Sequence, residues 1–157
     1  SGIVTNDRGV TVWLKGNRVS RNQIMAIKEE SVTEQKNSLA VCLDNILRHA
    51  GITRNTEYDL AQGKTATTIL SENMTGVQVL DLSGCTLDAV LYYVNQDIPV
   101  LAILEDGEAV LVTGFNEFNV VIMEPATGKL YKKGMNDATT WFAENGNHFI
   151  TYMRIEN

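Results

Sequence analysis

The strongest constraint in this sequence is a change of hydrophobic period partway along it. From Asn37 the apolar residues Leu39, Leu43, Ile46 and Leu47 recur at helical spacing, with Asn37 or Ser38 available as a cap and Gly51 as a stop. Beyond Pro99 the apolar residues come instead in strand-length runs, at 100–105, 109–115, 120–123, 129–132 and 148–153. The segments DG, NEFN and ATG separate these runs, as does a helical stretch at 138–144. A chain that spends its 3.6-residue period first and its turn-punctuated strands afterwards belongs to the α+β class, with N-terminal helices packed on an antiparallel sheet.

The remaining segments fit this order. Residues 10–14 (VTVWL) alternate and are β-branched, and a polar stretch follows them, so residues 1–30 read as a peripheral arm with one strand. Residues 56–72 predict one or two short helices around Gly63, and 77–80 a short strand. The Ser83, Gly84 and Thr86 cluster opens a further helix with Leu87, Val90, Leu91 and Val94 on one face, ending near Asn95. No repeat or composition break divides residues 1–157, so one domain is expected, and 44% hydrophobic residues suffice for its core.

Composition excludes several functions. A net charge of −6 with no basic cluster repels phosphate backbones, so no nucleic acid is expected as a partner. The longest apolar runs, such as 98–104, are far shorter than the roughly 20 residues of a membrane-spanning helix, so no membrane insertion is expected. Cys42, Cys85, His49 and His148 stand apart rather than at metal-ligand spacing, so neither metal nor cofactor is expected. The two cysteines are read as buried free thiols on two helices, with a single bridge as the alternative. The opening Ser1-Gly2, with neither Met nor leader, reads as a domain excised from a longer protein. Oligomeric state stays open.

A leading helix followed by a sheet is an arrangement that can carry nucleophilic chemistry. A thiol at a helix N-terminus lies beside unpaired backbone N–H groups and the positive end of the helix dipole, which together favour the thiolate. Three segments between Gln35 and Gly128 resemble the bacteriocin-processing (double-glycine leader) cysteine peptidases, a papain-like family. The first is Ser38-Leu-Ala-Val-Cys42-Leu-Asp-Asn-Ile-Leu-Arg-His-Ala-Gly51-Ile, in which Ser38 lies thirteen places before Gly51, the interval at which the family carries its catalytic Cys. The second, Glu108-Ala-Val-Leu-Val-Thr-Gly114, is similar to the family's His followed by an apolar strand. The third, Glu124-Pro-Ala-Thr-Gly128, is similar to its Asp-Pro-x-x-Gly. Glu108 and Glu124 are sixteen apart, the family's His-to-Asp interval, and the run from Gln96 to Gly107 resembles the strand that leads to the His.

The resemblance therefore implies the peptidase frame with other groups at its chemical positions, Ser38 for the nucleophile and Glu108 for the base. A carboxylate, with an ordinary pKa of about 4.3, is a weak base at neutral pH, and a serine hydroxyl needs a good base before it can attack. A cysteine at position 38 would still face a glutamate in the base position. Glu108 and Glu124, if adjacent, would share a proton or bind a cation, although solvated surface carboxylates are the plainer expectation. Gln35 is a candidate oxyanion or groove residue, but it stands closer to Ser38 than the family's spacing, and a surface polar residue is the simpler reading. Cys42 falls on the apolar side of its helix, His49 near a helix end as a surface residue, and His148 at a strand edge. Ser38 most simply caps its helix.

The function expected is a catalytically inactive papain-like peptidase homologue. It would act as a peptide- or protein-binding module of a larger bacterial protein, extracellular or at the cell surface. Two alternatives stand beside it. One is an active hydrolase with a rearranged site using Ser38, Glu108 and His148, and the other is a structural spacer.

Overall fold

The structure is a computed structural model that describes residues 2–5, 11–14 and 37–155. Two strands, β1 (Gly2–Thr5) and β2 (Thr11–Leu14), form an antiparallel pair in register from Gly2 opposite Leu14 to Thr5 opposite Thr11. The strand expected at 10–14 is β2, whereas β1 carries too short a pattern to stand out in the sequence. The rest of the expected arm lies outside the described residues.

Helix α1 (Ser38–His49) follows, then the short α2 (Glu57–Ala61) and α3 (Ala66–Asn73). Gly63, at φ +88°, makes the turn between α2 and α3 in the left-handed region that glycine occupies without cost. Strand β3 (Val77–Asp81) and helix α4 (Leu87–Val94) lead into β4 (Val100–Ile103), β5 (Ala109–Phe115), β6 (Asn119–Glu124) and β7 (Lys129–Gly134). Helix α5 (Met135–Glu144) and β8 (His148–Arg154) complete the order. Strands β3 to β8 form a six-stranded sheet in the order β3-β8-β4-β5-β6-β7, antiparallel throughout.

The sequence reads as α+β for a reason visible in the packing. All seven residues of β5 are buried, so that strand has no solvent face and must be covered on both sides, which is why it appears as an unbroken apolar run rather than an alternating one. Helix α1 packs over β4 and β5, and α4 contacts β4, β5 and β8. The rings of Phe142 on α5 and Phe149 on β8 lie 5.3 Å apart at a tilt of 59°, which ties α5 to the sheet. On α1 the residues Ala40, Leu43, Ile46 and Leu47 form the buried stripe, each leucine or isoleucine contributing about 1.5–3 kcal/mol by leaving water.

A polar link holds α1 to the segment before α2. The fully buried Thr56 hydroxyl donates to Asp44 Oδ1 at 2.8 Å, and the Thr56 backbone N–H donates to the same oxygen at 2.8 Å. Close by, Arg54 reaches the nearly buried Asp59 carboxylate at 3.0 Å. Three expectations need correction. Cys85 precedes α4 by two residues rather than sitting on a helix. His148 begins a strand flanked by β3 and β4, not an edge strand. His49 is the last residue of α1, but its side chain is only 13% exposed and faces Asp97. Both cysteines are free and buried, as expected.

Replacing Thr56 by Val should destabilise the protein by about 1–3 kcal/mol in urea unfolding, because Asp44 would lose a buried donor. Thr56→Ser keeps the hydroxyl and should recover most of that loss; equal losses in the two variants would show that the methyl group matters more than the hydrogen bond.

Candidate functional site

Asn37, not Ser38, caps α1. Its side-chain oxygen accepts from Leu39 N at 2.9 Å and from Ala40 N at 3.4 Å, satisfying two of the donors that a helix start leaves unpaired. The expected capping role of Ser38 is therefore taken by its neighbour, and the serine is free to point elsewhere. Its Oγ accepts a hydrogen bond from the backbone N–H of Ala109 at 2.9 Å. Ala109 opens β5 and is itself buried, so this bond crosses from the first residue of the helix to the first residue of the central strand.

Glu108 immediately precedes that amide. Its own backbone is fixed in the turn between β4 and β5. Its N–H donates to Asp106 Oδ1 at 2.9 Å, its carbonyl accepts from Leu104 N at 2.7 Å, and Gly107 adopts φ +87°. The side chain of Glu108 is exposed, and among the described residues its carboxylate has neither a hydrogen bond nor an ion pair. Ser38 and Glu108 thus share one corner of the fold without a hydrogen bond between their side chains.

Glu124 ends β6 on the strand next to β5. Leu111 is paired with Met123, and continuing that register by one residue sets Glu124 across from Val110, two places from Glu108. The Glu124 carboxylate is partly engaged in the turn that follows, where Oε1 accepts from Ala126 N at 3.2 Å and the backbone carbonyl accepts from Gly128 N at 2.8 Å. Its charge is also felt on α1. Cys42, one helical turn beyond Ser38, has its thiol pushed well above the usual range, first by complete burial and second by the negative charge of Glu124. Burial and the sign of that charge both disfavour a thiolate, so Cys42 is a core residue rather than a nucleophile. The structure therefore brings the three segments of the sequence frame together at the N-terminal end of α1.

The other candidates lie apart. His49 is eleven residues further along the same helix, about 17 Å away at 1.5 Å per residue. His148 shares a cross-sheet row with Ile103 and Ala109, two strand spacings from Ala109, or about 10 Å. Asp81, nearby, has its carboxyl held below the usual range first by hydrogen bonds from Ser83, with His148 a smaller cause. Gln35 lies outside the described residues. Among the described residues there is no group of three or more His, Cys, Asp and Glu placed to hold a metal, and no helix long and apolar enough to cross a membrane. The Ser38–Ala109 bond had no signal in the sequence, because it joins residues that only the tertiary fold brings together.

No protein-family model and no curated protein matches the chain. Among solved structures it is similar to one described as a "putative C39-like peptidase from Bacillus anthracis", with a TM-score of 0.68 at 12% identity. The match covers 85% of this chain and 98% of that one. At so low an identity the likeness shows the fold: mixed helices on an antiparallel six-stranded sheet, in the α+β papain-like arrangement of a C39-like peptidase. The fold of that structure is the one the sequence resemblance implies.

Ser38→Ala should destabilise the protein by about 1–3 kcal/mol, since it strands a buried backbone donor. The check is chemical denaturation beside Glu108→Ala, which removes a side chain without partners and should change stability by less than about 0.5 kcal/mol. In the native protein Cys42 should resist iodoacetamide, and mass spectrometry should find it alkylated only after unfolding.

Proposed function

We propose that this chain is a catalytically inactive homologue of papain-like peptidases and acts as a peptide- or protein-binding module of a larger bacterial surface or secreted protein. The observation that carries this reading is the state of Ser38. Its oxygen is an acceptor for the Ala109 amide, while the Glu108 carboxylate, at the position where the frame calls for a base, makes no hydrogen bond to it. Nucleophilic catalysis needs, besides any acceptor role of the oxygen, a base within about 2.6–3.2 Å that takes the hydroxyl proton as the oxygen attacks. A neutral serine also gains little from the helix N-terminus, whose field stabilises an anion that serine does not form.

Binding without cleavage requires an accessible surface at the same corner. Tyr131 on β7 supports this: it is 37% exposed, and its phenol is pushed above the usual range first by partial burial and then by the nearby charge of Glu124. An exposed aromatic ring close enough to feel the Glu124 carboxylate gives a peptide both an apolar contact and an acidic one.

Incubation of the pure protein with a diverse peptide mixture should yield no new termini by mass spectrometry, and reproducible cleavage would overturn the inactive reading. The double variant Ser38→Cys/Glu108→His tests the frame itself. It should gain a thiol at position 38 that reacts rapidly with iodoacetamide at neutral pH, whereas Ser38→Cys alone should react slowly. Equal slow reaction in both would mean that position 108 does not serve the base position.

A further inference from the structure

At the opposite end of α1 from Ser38 lies a cleft of about 630 Å³, within the size range of small-molecule sites. Its floor comes from the end of the β3–β8 ladder, with Val77 paired to Arg154 and Val79 to Tyr152. Ile52 and Met74 contribute apolar wall, and His49 and Asp97 stand at one side. His49 and Ile52 close the first segment of the peptidase frame and Asp97 lies in the run before Glu108, but none of the lining residues stands at its chemical positions, Ser38, Glu108 and Glu124.

Two polar groups in the cleft keep donors without a partner among the described residues. Tyr152 is 2% exposed, yet among the described residues its hydroxyl has no hydrogen-bond partner. The ring is buried, but the hydroxyl is not among the fully buried groups that lack a partner, so it opens to the cleft, where a ligand atom can reach it. Arg154 lies two residues along the same strand and therefore on the same face. One of its nitrogens donates to Gln96 O at 3.1 Å, which anchors the side chain against the loop after α4. The rest of its donor fork has no partner among the described residues, and it forms no ion pair there. Asp97, at the side of the cleft, is 60% exposed and lies 3.6 Å from His49 Nε2, and no ion pair joins it to Arg154.

We propose that this cleft binds an apolar carboxylate, its carboxylate held by Arg154 and the Tyr152 hydroxyl and its apolar part lying against Ile52, Met74 and Val77. An arginine with an open fork suits a planar two-oxygen anion, and one further hydroxyl donor completes the recognition of a single carboxylate. Such a group can come from a free aliphatic acid or from the C-terminus of a peptide ending in apolar residues.

The test is a titration of the whole chain, followed by NMR, with octanoate and with N-acetyl-leucyl-leucine, each beside its uncharged amide. The acids should saturate, shift the signals of Ile52, Met74 and Val77, and bind about tenfold more tightly than the amides. Arg154→Gln should cut acid affinity about tenfold and leave amide binding unchanged, and Tyr152→Phe, which keeps the ring, should weaken the acids several-fold. Tighter binding of octanoate assigns the site to free acids, and tighter binding of the dipeptide assigns it to peptide C-termini. Failure of both acids to saturate by about 10 mM, equal binding of acid and amide, or shifts confined to other surfaces would overturn the proposal.

Discussion

The architecture depends on one requirement, that β5 be covered on both faces. A strand with seven consecutive buried residues cannot lie at the surface of a sheet, and it fixes where α1 and α4 must go. Once α1 is laid over β4 and β5, its first residue comes to the start of β5 and its last residue comes to the far end of the sheet near β8. The bond from Ala109 N to Ser38 Oγ is the polar fastening of that arrangement at one end. At the other, His49 reaches the carbonyl of Asp97 at 3.2 Å, just before β4. Helix α1 is thus anchored to the sheet region at both ends, and its apolar stripe fills the space between.

On the inactive-homologue reading proposed above, this anchoring bears on what a peptidase-like fold does with a serine at the helix start. In a working cysteine site the helix start must hold a partly charged sulfur with a base in reach, which is costly in a folded protein and is maintained by specific neighbours. A hydroxyl that accepts from a backbone amide imposes no such cost. On the inactive reading proposed above, the same position is a tertiary contact that supplies stability. Glu108, exposed and without partners, is then under no structural demand, whereas Glu124 retains one, because its carboxylate helps close the turn into β7.

Much of the fold was legible because the decisive signals were local. The period of Leu39, Leu43, Ile46 and Leu47, the stop at Gly51, and the apolar run 109–115 each report a burial pattern that neighbours in sequence share, and the observed α1 and β5 follow them closely. Strand β1 was missed because four residues carry too little periodicity to register. The cap was legible in kind but not in identity, since Asn37 and Ser38 can both accept from a helix start, and only the approach of β5 decides which one is drawn away. At the site, Ser38 and Glu108 meet at the start of β5, and Glu124 ends the neighbouring strand. What spacing could not show was that the serine oxygen would be occupied by a backbone amide 71 residues away in sequence.

The same reasoning explains why the cleft beside Tyr152 left no trace in the sequence. In β8 the residues Tyr152 and Arg154 read as ordinary members of an alternating strand, and Met74 and Ile52 as ordinary apolar residues near helix ends. Their convergence follows from the antiparallel pairing of β3 with β8 and from the length of α1, which places its C-terminus above that ladder. A helix that spans the sheet brings loops together at both of its ends. The peptidase-like frame accounts for one of those ends, and the unfilled donors of Tyr152 and Arg154 give the other a chemistry of its own.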